Sequence, residues 1–533
     1  MAADFNEWFK KMPITFSGYT KSETLTNFPV LVTLSTNTAG FSYADFVYPA
    51  NGADLRFSAS NQTDELNYEI ERWDTTSVSY VWVQLPLLGD TNTSIYAFWG
   101  NEAVSMPPYT TNGATWMNAY AAVWHMRESP TNSAPQVKDS TTNVNHGTCN
   151  GAMTAGQQTN GAMNGALHFD GSDDYLNCGT NLVLEPSNVT VSAWVRPAGN
   201  GSHVDGDWFV SKGRGGDPYI SYGLDYVPNI SKLRIGVAIP TWVTLDSVST
   251  FGTNGPLVHL AVTYDRSNVR MYVNGKQENA SVQSGAINYT FTADRSLHIG
   301  EWGLAGTVRR LQGVVDEVRI STVARSTNWV WACWTNQVPG STFSVYGAVE
   351  NGGNILALDA TGIGITNATL NGQLAVDGGA PNTDVAFCWG YTNSGRTATS
   401  DWPNVVSMGN SWTSGQTFAT TLYSLLSGST YVYRCYATNT IIGPAWSGAK
   451  SFITVHIPSV TNTGALEVDP YAEFLQGVVT DTGVETPEVR FLYWLAGSGT
   501  TNSLAAGPQS GACSALATNL MLGSNYVYML MAS

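Results

Sequence analysis

The chain runs to 533 residues, longer than one hydrophobic core organises, so three or four domains are expected. Charged residues make up only 12% and aromatics 11%, which excludes a disordered chain and suits aromatic-rich strands separated by polar turns. The net charge of −16, from 24 Lys and Arg against 40 Asp and Glu, repels nucleic acid and anionic lipid; it also disfavours sulfated or uronate-rich polysaccharide unless a local basic patch or bound cation overrides it.

Residues 1–104 read as a first unit. Phe28-Pro29-Val30-Leu31-Val32, Asp54-Leu55-Arg56-Phe57 and Tyr80-Val81-Trp82-Val83-Gln84-Leu85 have the composition of strands, with Asn51-Gly52 and Gly89-Asp90 as turns. With Trp8 through Ile14, Glu69-Ile70-Glu71-Arg72-Trp73 and Tyr96-Ala97-Phe98-Trp99-Gly100-Asn101, this string resembles a bacterial domain family of unknown function (DUF2341). That family often precedes a laminin-G-like domain in large surface or secreted proteins. A linker at Met106-Pro107-Pro108-Tyr109 ends the unit.

Residues 115–335 form the second unit. Alternating apolar and polar residues closed by Gly, Asn or Asp occur in blocks 166–176, 191–197, 269–276 and 313–320, the pattern of half-buried antiparallel strands. Their order resembles the laminin-G-like, concanavalin-A-like β-sandwiches, and Ala122 through Met126 and Asp139-Ser140-Thr141 fit the same pattern. The resemblance implies a jelly-roll sandwich that binds sugars or other extracellular ligands. At the end of the unit Ser326 is a candidate N-cap, and Trp329 and Cys333 are spaced to share one face of a short helix packed on the sandwich.

Residues 345–453 and 454–533 are an internal repeat: Phe387-Cys388-Trp389 aligns with Phe491-Leu492-Tyr493, and Tyr431-Val432-Tyr433 with Tyr526-Val527-Tyr528. Both resemble fibronectin type III or immunoglobulin-like sandwiches, with Tyr431 and Tyr526 where such folds place a corner tyrosine. In the second copy no strand follows Tyr526–Ala532. That predicts either a piece of a longer chain, favoured because tandem sandwiches commonly continue, or a strand supplied by a neighbour.

The fold class expected is therefore all-β, a multidomain chain of sandwiches. No run of roughly 18 apolar residues would span a bilayer. The N-terminus carries no charged-then-apolar leader, and a removed signal peptide is the expectation.

Glycosidases need two carboxylates flanking the scissile bond. Glu69 and Glu71 share a face but lie in the first unit; Asp316 and Glu317 are adjacent, hence expected on opposite faces, so catalysis is not expected. Asp170, Asp173 and Asp174 crowd a Gly-containing turn, and Asp316 lies where relatives often add a ligand, an oxygen-rich set suited to a structural Ca2+. Trp208, Tyr219, Tyr222, Trp242 and Trp302 lie in Gly-rich polar stretches with Arg214, Asp217, Asp225 and Glu301 nearby, as stacking platforms and hydroxyl partners for a sugar would. Trp194, inside an alternating strand, reads as core.

Because the repeat replaces Cys388 and Cys435 with leucines, both thiols are expected to face the core. A disulfide or two buried thiols would fit, and export favours the disulfide. Cys149 with Cys178 is a second candidate pair. The seven His show no metal-ligand spacing, and no nucleotide-binding loop occurs. The expected function is non-catalytic binding of a polysaccharide or glycoconjugate by an exported adhesin-like protein at the cell surface or outside it. Neither nucleic acid nor membrane insertion is expected, while self-association through the last repeat is a further expectation. The alternatives are a structural subunit of a surface filament or giant cell-wall protein, and an accessory region of a polysaccharide-degrading enzyme.

Overall fold

The computed structural model describes residues 5–533 except 6, 7, 102, 103, 200, 202, 204, 205, 215–219, 291–293, 305, 306, 352, 353, 381, 396, 397, 484 and 485. They form a multidomain β-sandwich chain with one α-helix among the described residues, in two compact units, 1–350 and 351–533.

The first unit begins with two small sheets. One orders strands Val345–Tyr346, Lys10–Thr15, Ser94–Trp99 and Arg56–Ala59; the other orders Leu25–Ser35, Val78–Leu88 and Tyr68–Arg72. Their facing side chains, Met12, Ile14, Phe28, Val30, Val32, Phe57, Val81 and Val83 among them, are fully buried. The alternation that places them on one face is the period-two pattern of the sequence.

A larger sandwich follows. Its eight-stranded sheet runs Lys276–Val282, Asn268–Val273, Val258–Tyr264, Val189–Pro197, Gln312–Ser321, Gly165–Asp170 and Gln158–Asn160, with Tyr120–Trp124 also paired to Gln312–Ser321. The seven-stranded sheet runs Thr241–Asp246, Lys232–Ile239, Tyr222–Val227, Asp207–Arg214, Asp294–Ile299, Tyr175–Asn177 and Thr148–Asn150. Val189, Val191, Ala193 and Val195 from one sheet meet Leu224, Ile235, Val237 and Ile299 from the other.

Trp194 points the opposite way. It is buried on the outer face of the eight-stranded sheet, where its Nε1 donates to Gln337 Oε1 at 2.7 Å. The helix Thr327–Gln337 lies there. Ser326 caps it as expected, its Oγ accepting from Trp329 N at 3.1 Å. Trp329 and Cys333 border Tyr120, Thr190 and Arg319 of the larger sandwich, as the sequence led one to expect, and also enter the core of the smaller one, with the Trp329 ring 4.9 Å from that of Phe28. Val330, on the helix's other side, packs on Ala261 and Tyr272 of the eight-stranded sheet. The helix is thus a wedge shared by the two sandwiches.

The second unit holds two further sandwiches. In the first, Asn354–Thr361, Ala368–Val376 and Gln416–Leu422 face a sheet built on Thr383–Gly390 and Thr430–Asn439, which Gly443–Trp446 and Lys450–Ile453 extend. In the second, Ser459–Asp469, Ala472–Asp481 and Ala512–Ala517 face Asn502–Pro508, Glu488–Leu495 and Tyr526–Ala532. Both corner tyrosines sit alike: Tyr431 OH accepts from Leu426 N at 2.9 Å and Tyr526 OH from Met521 N at 3.2 Å.

All six cysteines are free thiols, so neither expected disulfide is present. Cys435 pairs across the ladder with Phe387, and both enter the core. Cys388, one residue on, therefore points to the other face, against Trp402 and Trp446. Cys149 and Cys178 both touch the core of the large sandwich but remain thiols, burial pushing the Cys149 thiol up to about 12.

Asn336 of the helix completes the edge of strand Leu25–Ser35, its Oδ1 accepting from Leu31 N at 2.6 Å and its Nδ2 donating to Leu31 O at 3.2 Å. Asn336→Ala orphans two buried backbone groups and should cost about 2–4 kcal/mol in urea unfolding followed by tryptophan fluorescence.

Candidate functional site

The outer face of the seven-stranded sheet carries aromatic and charged side chains, while its inner face carries the aliphatics and the buried Phe209, Tyr222 and Tyr226. Gly223 and Gly236 are cross-strand partners on that face. A Cβ on Gly223 would fall 2.8 Å from Trp208 Cζ3, and one on Gly236 2.0 Å from Trp242 Cη2, so the two indoles lie over bare backbone. Trp208 is the centre of a cluster, its ring 5.9 Å from both Trp242 and Trp302. It is itself buried, while Trp242 and Trp302 are half-exposed. Arg309 lies 5.3 Å over the Trp302 ring.

Charged groups frame these indoles. Arg214 joins Asp294 at 2.9 Å and Glu301 at 2.6 Å, and Arg310 meets the same Glu301 at 2.7 Å. Asp225, opposite Trp208 in the ladder, is buried, and burial holds its carboxyl well above the usual carboxylate range. Burial raises Asp207 to about 7 against the pull of the His203 backbone and Arg309.

The sequence-predicted residues divide accordingly. Trp242, Trp302 and Arg214 come together at the surface. Trp208 supports the other two indoles from beneath. Tyr222 does not belong to the face: it is fully buried between the sheets, its hydroxyl donating to Leu184 O at 2.7 Å, because it alternates with Gly223. Tyr219 and Asp217 lie outside the described residues.

Asp170, Asp173 and Asp174 each bring a carboxylate oxygen within 4.8 Å of the others. Asp170 Oδ1 accepts from Ser172 N at 2.7 Å, while Asp174 is almost fully buried with Oδ1 free of any hydrogen bond. Burial and the Asp170 charge push Asp174 up to about 6. Asp316 is not part of this set. Asp170 pairs with Gln312, four residues back along the strand, and Asp316 Oδ2 instead accepts from Ala162 N at 2.7 Å.

Asp316 lies beside the feature that sequence reasoning missed. On the outer face of the eight-stranded sheet, His125 stands among carboxylates from both sandwiches. Its Nδ1 lies 2.5 Å from Glu317 Oε1 and 3.7 Å from Glu71 Oε2, and Nε2 faces Glu69 Oε1 at 3.6 Å. Trp82 Nε1 donates to Glu71 at 2.7 Å, Trp116 Nε1 to Glu69 at 2.6 Å and Ser140 Oγ to Glu69 at 2.7 Å. Arg319 donates to Glu317 at 2.5 Å and stacks 4.2 Å over Trp82.

Two β-bulges aim these acids. The ladder slips between Ile70 and Arg72, leaving Glu71 as an extra residue, and again between Ser192 and Trp194 opposite Glu317. Glu317 takes φ +50°, so Asp316 and Glu317, expected on opposite faces, both leave the inter-sheet core. Burial alone would lower His125, but Glu317 and Glu71 hold its pKa well above the usual value. Burial and the charge of Glu317 push Glu71 up to about 7. Against burial, His125 and Arg319 hold Glu317 near 2. Charge is thus neutralised inside the cluster: a buried polar weld between two sandwiches, not a cleft open to substrate.

Two family models fall on these two sandwiches. Residues 51–124 match the family model of a domain of unknown function (DUF2341), and residues 170–330 match that of the concanavalin A-like lectin/glucanases superfamily. No curated protein matches the chain. Among solved structures it is similar to domain 4 of an extracellular arabinanase from Geobacillus stearothermophilus in complex with arabinotriose, at 19% identity over 40% of this chain and 96% of that one, TM-score 0.31. It is also similar to a carbohydrate-binding module of a Ruminococcus gnavus sialidase bound to α2,3-sialyllactose, at 15% identity over 28% and 84%, TM-score 0.24. A third is a putative carbohydrate binding protein from Bacteroides ovatus, at 15% identity over 59% and 80%, TM-score 0.26. The chain thus carries a DUF2341 segment followed by a concanavalin A-like sandwich. No helix of the described residues is long and apolar enough to cross a membrane.

Removing His125 leaves Glu317 and Glu69 buried without its cation, so His125→Gln should cost about 3–5 kcal/mol in urea unfolding. The weld also sets a pH dependence. Stability from the raised His125 is complete below its unfolded value of 6.5 and declines as pH rises through its folded pKa. Raised Glu71 contributes stability that falls as pH climbs from 4.5 to about 7, whereas depressed Glu317 contributes stability lost as pH falls from 4.5 to about 2. Thermal unfolding should therefore show greatest stability near about pH 5 and a decline toward about pH 8.

Proposed function

We propose that the concanavalin A-like sandwich binds a neutral glycan on the outer face of its seven-stranded sheet, without catalysis. In this reading the chain is an exported bacterial protein whose ligand-binding head is this sandwich. The observation that carries it is the trio Trp208, Trp242 and Trp302: Trp208 and Trp242 lie over the paired glycines, Trp208 is 5.9 Å from each of the other two rings, and Arg214 and Glu301 frame them. A pyranose offers an apolar face to an indole and hydroxyls to the surrounding charged groups. The family match supports the fold on which such sites occur. In the same reading Asp170, Asp173 and Asp174 hold a structural Ca2+, which the unpartnered buried oxygen of Asp174 would ligate.

Retention of the full chain on a panel of immobilised neutral polysaccharides tests this. Trp302→Ala and Trp242→Ala should each weaken binding about tenfold. Gly236→Ala should weaken it too, by displacing the Trp242 indole without touching the sugar. Retention on one polymer unaffected by all three would move the site off this face. Calcium should raise the melting temperature of the wild type and not of Asp174→Asn.

A second reading, self-association, has one observation in its favour. Tyr526–Ala532 pairs only with Glu488–Leu495 among the described residues, and Val527, Met529 and Met531 are exposed along it. Concentration-dependent assembly abolished by Met529→Lys would favour that reading.

A further inference from the structure

A cleft of about 680 Å3 opens where the helix Thr327–Gln337 meets the turn joining Asn268–Val273 to Lys276–Val282. Its lining includes none of the indoles of the seven-stranded sheet and has its own pair, Trp331 and Trp334, both half-exposed. The wall is rigid. Gly275 turns at φ +71° and presses on the helix so closely that a Cβ would stand 3.0 Å from Trp334 Cε3. Lys21, from the smaller sandwich, holds its ammonium 4.3 Å over the Trp331 ring, so its charge is already positioned.

The charge of this cleft runs against that of the chain. Lys21 and Lys276 both line it, and neither forms an ion pair among the described residues. The one acid in its lining, Glu278, keeps its charge but is turned to the Val248–Ser249 edge: Oε2 accepts from Val248 N at 2.7 Å and Ser249 N at 3.2 Å, and Oε1 from Ser249 Oγ at 2.9 Å. Glu23, near Lys21 in sequence, accepts from Ser326 Oγ at 2.7 Å. Lys21, positioned over its indole, and the exposed Lys276 therefore outnumber the one acid of the lining in a protein of net charge −16. The side chains of Gln277 and Asn328, also in the lining, remain available for hydroxyl groups.

We propose that this cleft is a second saccharide site, selective for a sugar bearing a carboxylate, such as a hexuronate unit. The ring packs on the exposed indole surface, the carboxylate takes charge-assisted hydrogen bonds from Lys21 and Lys276, and the carboxamides meet hydroxyls. It is the local basic patch that would override the chain's acidic field.

The test is calorimetric titration of the full chain with an oligogalacturonate of about four units and with the same oligomer after its carboxyls are reduced to alcohols, a length that fits a cleft of this size. The acidic oligomer should bind at least about tenfold more tightly, the weight of one hydrogen bond to a charged group. Lys21→Gln with Lys276→Gln should erase that preference; both side chains reach solvent, so the fold should survive, which the melting temperature checks. Trp302→Ala should leave the affinity for the acidic oligomer untouched, which keeps this site separate from the neutral-glycan face and lets either fail alone. Equal binding of the two oligomers, no binding of the acidic one, or a preference that survives the double lysine substitution would overturn the proposal.

Discussion

The first unit depends on one buried imidazole. His125 lies between Glu317 of the large sandwich and Glu69 and Glu71 of the small one, with Arg319 as the second cation. Taking so many charges out of water is expensive, and breaking such a set is worse than never having made it, because each partner removed strands the rest. Every acid in the set is accordingly tied to a further donor, from an indole, a hydroxyl, a guanidinium or the backbone. Apolar packing between the sandwiches would tolerate small slips. A polar set with this many fixed partners does not, so it specifies one docked arrangement.

That docking divides the large sandwich into two sides. The outer face of the eight-stranded sheet is consumed by the small sandwich and the helix, which explains why Trp194, Tyr272 and Arg319 are buried there. The opposite outer face, on the seven-stranded sheet, is where Trp242 and Trp302 reach solvent. The tandem order of the two segments acquires a physical reason: the DUF2341 sandwich covers one flank of its neighbour and leaves the other open to solvent. The lysine-lined cleft lies along the seam itself, since Lys21 comes from one sandwich and Trp334 packs on the other.

Much of the fold was legible because it is local. Period-two alternation marked the strands around Val30, Val81, Val191 and Met271, and Ser326 announced the helix that Trp329 N confirms. The repeat alignment placed both corner tyrosines. What escaped reading depends on register between distant segments. Glu71 and Glu317 are aimed by bulges that nothing in their own strands advertises, so three carboxylates from two sandwiches converge on one histidine. The parity of Cys388 was available in principle: Phe387 pairs with Cys435 as Phe491 pairs with Leu530, which leaves Cys388 on the other face. The division between a supporting Trp208 and exposed Trp242 and Trp302 was not available, because it turns on which indole lies over which glycine.

Native-state hydrogen exchange on the full chain tests most directly the claim that the weld makes the two sandwiches of residues 1–350 one cooperative body. Amides of Tyr68–Arg72, Tyr120–Trp124 and Gln312–Ser321 should open with the same free energy, and His125→Gln should lower all three together. A small sandwich whose amides exchange through a separate, cheaper opening, with Gln312–Ser321 still fully protected, would contradict it.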